Sequence, residues 1–139
     1  MSDRIIRKLF EGRLKAWADA RPTKLQIAYE DVAFTPPANG AACLKAFLLP
    51  GNTDSEDLEG KHTSYRGVFQ VSVVTASGVG RGAAELIADE IAALFPNNMA
   101  LTEADFAVFV RSPMATAGAI QGDTSTSLPL SFQYRADTF

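Results

Sequence analysis

GVFQVSVVTASGVGRGAAELIADEIAALF, residues 67–95, changes its hydrophobic period halfway along, and that change decides the fold. Over 68–74 the residues Phe69, Val71 and Val73 alternate with Gln70 and Ser72, the two-residue period of a strand with one buried face. Past the turn Gly78-Val79-Gly80-Arg81-Gly82 the period lengthens. Ala83, Ala84, Ile87, Ala88, Ile91, Leu94 and Phe95 fall within an arc of about 140° on a helical wheel. Glu85 and Asp89 mark the solvent side, and Pro96-Asn97-Asn98 stops the helix. A half-buried strand feeding an amphipathic helix calls for a sheet with helices stacked against it.

Toward the N-terminus a second helix is predicted. Ile5, Ile6, Leu9, Phe10, Leu14 and Trp17 fill one half of its wheel, and Arg4, Arg7, Lys8, Glu11 and Lys15 fill the other. Ser2 is read as its cap, Glu11 and Lys15 as an i,i+4 pair, and Arg21-Pro22 as its end, because a residue before proline is pushed out of the helical region. The apolar arc is wider than one sheet face requires and contains Arg13. Either Arg13 snorkels past its neighbours, or part of the arc faces something other than this chain's own core.

The remaining segments read as strands and loops. Residues 25–29 form a short alternating strand, followed by a loop punctuated by Phe34, Pro36, Pro37 and Gly40. Residues 41–49 form a strand with bulk on both faces, Cys43, Phe47 and Leu49 against Leu44 and Leu48, so Cys43 is read as a small hydrophobe. The tract PGNTDSEDLEGK, residues 50–61, is an exposed acidic loop, extending to about residue 63. Residues 106–111 and 128–134 alternate as strands, and 115–120 form a short strand turning at Gly122-Asp123. The expected architecture is a single α+β domain over 1–139, with a mostly antiparallel sheet of four to six strands and two helices packed on one face.

The chain has 139 residues, of which 47% are apolar, enough for one core and too few for two domains. Its net charge of −3 hides a split: residues 1–24 hold seven basic and three acidic side chains, while the rest hold six and thirteen. With a pI near 5.1, nucleic acid is not the expected partner. One cysteine excludes an internal disulfide, and one histidine, His62, leaves too few ligands for an ordinary zinc site. MSDRIIRKLFEGRLKAW is too charged for a secretory leader, and no run of about 18 apolar residues follows, so the expectation is a host-cytoplasmic protein without a membrane partner.

No motif for chemistry holds up. In the glycine-rich turn the third glycine comes one position too early for a dinucleotide fingerprint, so a plain strand-to-helix turn is the preferred reading over a phosphate site. Gly60-Lys61-His62-Thr63 lacks the earlier glycine of a phosphate loop, and the acidic tract lacks the glycine and terminal glutamate of a calcium loop. His62 has no orienting partner at a suggestive spacing. No catalytic residue, metal ligand or cofactor is assigned, and an enzyme is not expected.

The order of segments resembles the phage tail terminator superfamily, including its lambda-like minor tail proteins and small prophage-encoded relatives. The likeness is carried by the N-terminal helix closing on Leu14 and Trp17, by Ile27-Ala28-Tyr29-Glu30 with Phe34-Thr35-Pro36-Pro37, and by the strand 44–49 ending at Pro50. Gly67-Val68-Phe69-Gln70-Val71, the helix with Ala88-Asp89 and Ile91, and the closing Phe132-Gln133-Tyr134-Arg135 complete it. The resemblance implies a virion tail protein. Such proteins form a ring, commonly a hexamer, on the end of the tail tube, where they halt polymerisation and present the head-joining surface. The implied partners are further copies of itself, the tail-tube protein and a head-completion protein. Other readings are a head–tail connector, a tail-tube subunit, or a small phosphate- or nucleotide-binding enzyme using the Gly78 to Gly82 turn. Function would then sit on surfaces, and the candidates are the helix residues Arg4, Arg7, Lys8, Arg13, Lys15 and Trp17 with the acidic residues Asp54, Glu56, Asp57 and Glu59.

Overall fold

A computed structural model describes residues 2–37, 41–55, 58–78, 81–122 and 124–138. The side chain of Ser2, expected to cap the first helix, lies outside the described part, as do Glu56, Asp57, Val79, Gly80 and Asp123. In chain order the elements are α1 (Ser2–Ala20), β1 (Gln26–Tyr29), β2 (Cys43–Asp54), β3 (Thr63–Ala76), α2 (Gly82–Leu94), β4 (Ala100–Glu103), β5 (Phe106–Val110), β6 (Ala115–Thr116), β7 (Ile120–Gln121) and β8 (Ser125–Thr138). The sheet runs β1-β2-β3-β8-β5-β4, with β6 and β7 also paired to β8.

Both expected helices and the α+β class are present, but the sheet departs from expectation in three ways. It has eight strands where four to six were expected, because the hairpin partner β4 joins one edge and the segment before β8 divides into β6 and β7. It is mixed, since β1 pairs parallel to β2 from Gln26↔Cys43 to Tyr29↔Ala46. The tract expected to be loop from residue 50 begins as strand, with Pro50 opposite Gly67, a bulge between Pro50 and Thr53, and Asp54 opposite Ser64. Proline is tolerated there because β1 covers only Cys43 to Ala46, leaving the rest of β2 as a sheet edge. Where β1 ends, Glu30 stands in for a ladder partner: its carboxylate accepts the backbone N–H of Leu48 at 2.6 Å.

One face of the sheet makes the core. Leu44, Ala46 and Leu48 of β2, Phe69, Val71 and Val73 of β3, Leu128, Leu130, Phe132 and Tyr134 of β8, and Val108 and Val110 of β5 are all buried on it. Register puts these residues in rows, such as Leu48 with Phe69 and Phe69 with Phe132. Against the face pack Ile6, Phe10, Leu14 and Ala18 of α1 and Ala84, Ile87, Ala88 and Ile91 of α2. The ring of Phe10 lies 5.1 Å from Phe69, 5.1 Å from Phe132 and 6.0 Å from Phe95, so both helices dock on the same aromatic row. Each fully buried aromatic contributes about 1.5–3 kcal/mol by area, with a further 0.5–1.5 kcal/mol per well-oriented ring pair.

Gly67 is required by close approach. A Cβ there would meet the Tyr134 hydroxyl at 2.5 Å and the Leu49 carbonyl oxygen at 2.6 Å, and the second is backbone that cannot swing away. Gly12, in the middle of α1, has nothing within 4 Å of an added Cβ. Opposite outcomes follow by chemical denaturation. Gly67→Ala loses about 1–3 kcal/mol through overpacking, and Gly12→Ala gains about 0.5–1 kcal/mol by restricting the unfolded chain and improving helix propensity.

Candidate interaction surfaces

The basic side of α1 is largely tied down within the chain. Arg7 lies 3.8 Å from the carboxylate of Glu30 and 3.9 Å from that of Glu11. Lys8 pairs with Glu103 of β4, and Lys15 lies 2.7 Å from Asp19 one turn on. Arg4 is exposed and has no ion pair among the described residues. Burial raises the Glu11 carboxyl above its ordinary range, opposed by Arg7 and reinforced by the negative charge of Glu30. These pairs are mostly solvent-facing and each is worth at most about 1 kcal/mol, so a partner could rearrange them at small cost.

Arg13 and Trp17 belong to the joint between the helices. The Arg13 guanidinium donates to the carbonyl of Leu94 at 2.8 Å, satisfying an orphan acceptor at the end of α2. Trp17 packs partly buried against the core, and Arg21 lies over its ring at 5.4 Å while donating to Glu90 at 2.8 and 3.3 Å. The wide apolar arc of α1 is therefore used by α2 as well as by the sheet. The contacts Phe10 to Phe95, Arg13 to Leu94 and Arg21 to Glu90 run in opposite order along the two helices, which makes them antiparallel.

The acidic tract sits at the end of the β2–β3 arm. Asp54 is exposed in the last position of β2, and Glu59 lies 3.0 Å from Lys61. Between them Leu58 is fully exposed, at 106%. His62, expected without an orienting partner, is buried and has one. Its Nε2 donates to Oδ1 of Asp137 at 2.8 Å, and Arg135 closes on the same carboxylate with bonds of 3.0 and 3.1 Å. The arginine, more than the histidine, holds the Asp137 carboxyl below its usual range. Ser64 pairs in register with both Asp54 and Asp137, and its hydroxyl has no hydrogen-bond partner among the described residues. Ser64 has no exposed surface.

The opposite sheet face carries residues that sequence reading passed over. On it Arg66 stands directly across from Arg135, and Phe109 lies on the other side of Arg135. A shallow cavity of about 400 Å³ is lined there by Arg66, Val68, Arg111, Gln133 and Arg135. Leu49 and Phe109 flank it at 47% and 39% exposure. The signal was present, since 66, 68 and 70 share the wet parity of β3, but nothing in the sequence says that residue 66 meets residue 135. Near the glycine-rich turn, Gly78 has φ of 88°, and Arg81, the N-cap residue before α2, makes no side-chain cap bond. Arg81 there faces Glu85 at 3.6 Å. Burial raises the Cys43 thiol, in keeping with an inert hydrophobe. No helix among the described residues is long and apolar enough to cross a membrane.

A folded Asp137 pKa below the unfolded value contributes stability that is present above about pH 4 and lost as pH falls through the folded value. Asp137→Asn is therefore expected to cost about 1–2 kcal/mol at pH 7 and much less near pH 3. Urea denaturation at the two pH values checks this. An equal loss at both would assign the effect to packing.

Comparison with known proteins adds identity to this geometry. A family model described as phage tail terminator protein matches residues 5–134. A solved structure that bears no functional name is 42% identical, with a TM-score of 0.83, covering 98% of this chain and 96% of its own. No curated protein matches. The match runs from the first turn of α1 into β8, across both layers of the fold, and the chain therefore belongs to the phage tail terminator family, with a structural role in a phage tail.

Proposed function

We propose that this chain forms a ring of identical subunits on the end of a finished tail tube, stops further polymerisation and presents the surface to which the head is joined. The observation that carries the reading is the extent of the family match, residues 5–134, which takes in both helices and the central strands and not one isolated element. The partners would be further copies of the chain, commonly six to a ring, then the tail-tube protein on one side and a head-completion protein on the other.

The distribution of charge and apolar surface supports it. A ring closed head to tail joins two unlike patches on each subunit. The chain offers such patches: a helix side rich in Arg and Lys, an acidic arm ending in bare Leu58, and an arginine-bearing sheet face. Work of this kind is done by surfaces, with complementary charge selecting which patches meet.

Tubes grown from purified tail-tube protein test the proposal by electron microscopy. Added at a small molar excess over tube ends, the chain is expected to appear as density at one end only and to arrest elongation. Continued growth overturns the reading, and incorporation along the length would make the chain a tube subunit.

A further inference from the structure

We infer that the open sheet face between β2 and β5 receives the outer side of α2 from a second copy of this chain; the inference rests on the self-assembly proposed above. On that face register sets Lys45, Ser72 and Pro129 in one row, Phe47, Gln70 and Ser131 in the next, and Leu49, Val68 and Gln133 in a third. Arg111 extends the third row, its backbone N–H donating to the carbonyl of Gln133. No residue of these rows is acidic. Lys45 and Arg111 are exposed and make no ion pair among the described residues. Arg135 is bonded to Asp137 and Arg66 has interactions of its own, so the available cations are Lys45 and Arg111. Six large hydrophobic side chains are exposed among the described residues, and three of them, Leu49, Phe109 and Ile120, belong to this face. Exposed apolar side chains gathered on one face mark a surface that another protein covers.

The outer side of α2 has the matching chemistry. Its inner side, with Ala84, Ile87, Ala88 and Ile91, is spent on the core. Gly82, Leu86, Asp89 and Ala93 fall at helical spacing on one exposed stripe, with Glu85 beside it. Leu86 is 62% exposed, so its own chain leaves it largely uncovered. Asp89 makes no ion pair among the described residues, and Glu85 meets Arg81 at 3.6 Å in a solvent-facing pair that a partner displaces at little cost. Laid on the sheet, Leu86 finds apolar cover among Phe47, Leu49 and Val68, while Lys45 and Arg111 on either side take the carboxylates. The 13 residues of α2 run about 20 Å, and the rows from β2 to β5 about 14 Å, so the helix covers them in one pass. The outer side of α1 is the poorer occupant, because Arg4, Arg7, Lys8 and Lys15 would face Lys45 and Arg111. A second layer of helix completes a helix–sheet–helix stack. Since α2 and the open face lie on opposite sides of the sheet, each docked copy leaves one of each patch free, and the contact repeats head to tail.

Sedimentation of two full-length variants, alone and mixed, tests this. Leu86→Asp damages the helix stripe and leaves the sheet face intact; Leu49→Asp with Arg111→Glu does the opposite. The unaltered chain is expected to associate beyond a dimer, and each variant alone to associate about tenfold or more weakly. Mixed in equal amounts, the two variants should form a one-to-one dimer that grows no further, because one intact helix stripe meets one intact face. That dimer also shows that both variants are folded. Val32→Ser, at an exposed apolar residue on neither patch, should leave association unchanged. An unaltered chain that stays monomeric up to millimolar concentration, association undiminished in either variant, or a mixture that forms no dimer would each overturn the inference. Tube capping by both variants as readily as by the unaltered chain removes this contact and leaves the ring reading standing; association through these patches without tube capping does the reverse.

Discussion

Phe10 of α1 sits 5.1 Å from both Phe69 and Phe132, which face each other across β3 and β8, and 6.0 Å from Phe95 just beyond α2. Four segments far apart in sequence meet at these rings, and each is held by the others. Removing the Phe10 ring would undock α1 from the sheet and also expose the flank on which α2 rests. Tyr134 extends the row, with its ring 5.7 Å from that of Phe10 and its hydroxyl above Gly67. Burial there pushes its pKa up to about 12. With the core on one face, the other carries Arg66, Arg111 and Arg135 beside the exposed Leu49 and Phe109.

The period change within 67–95 and the apolar arc of α1 were legible because each reports which side of an element is buried, and burial repeats at the spacing of the backbone. Strand direction does not repeat in this way. Nothing in Leu25 to Tyr29 distinguishes a strand parallel to its neighbour from one antiparallel to it. β4 escaped notice because Ala100-Leu101-Thr102-Glu103 is too short to show alternation. Its hairpin also turns at Ala104, with φ of 51°, where glycine or asparagine would have signalled the turn. The bond from His62 to Asp137 spans 75 residues, and the arginine pair spans nearly as many, so both are products of register and not of any local motif.

The candidate surfaces were legible to a similar degree. The charged side of α1 was visible from the sequence, but its ion pairs with Glu30, Glu103 and Asp19 place Arg7, Lys8 and Lys15 in an internal network. Arg13 and Trp17 turned out to join the helices, since the wide apolar arc has two neighbours within the chain. The acidic arm was visible as composition, whereas the arginine-bearing face emerges only once β3, β8 and β5 lie side by side.

The packed face holds the fold, and we propose that surfaces away from it, the arm and the open sheet face, meet partners. Hydrogen exchange read by mass spectrometry, on the chain alone and on the chain bound to tail tubes, tests it most directly. Slowed exchange is predicted over residues 50–55, 64–68, 109–111 and 133–135 on binding, with the slow core amides of 69–73 unchanged. Protection confined to the turn before α2, or none outside the core, would contradict it.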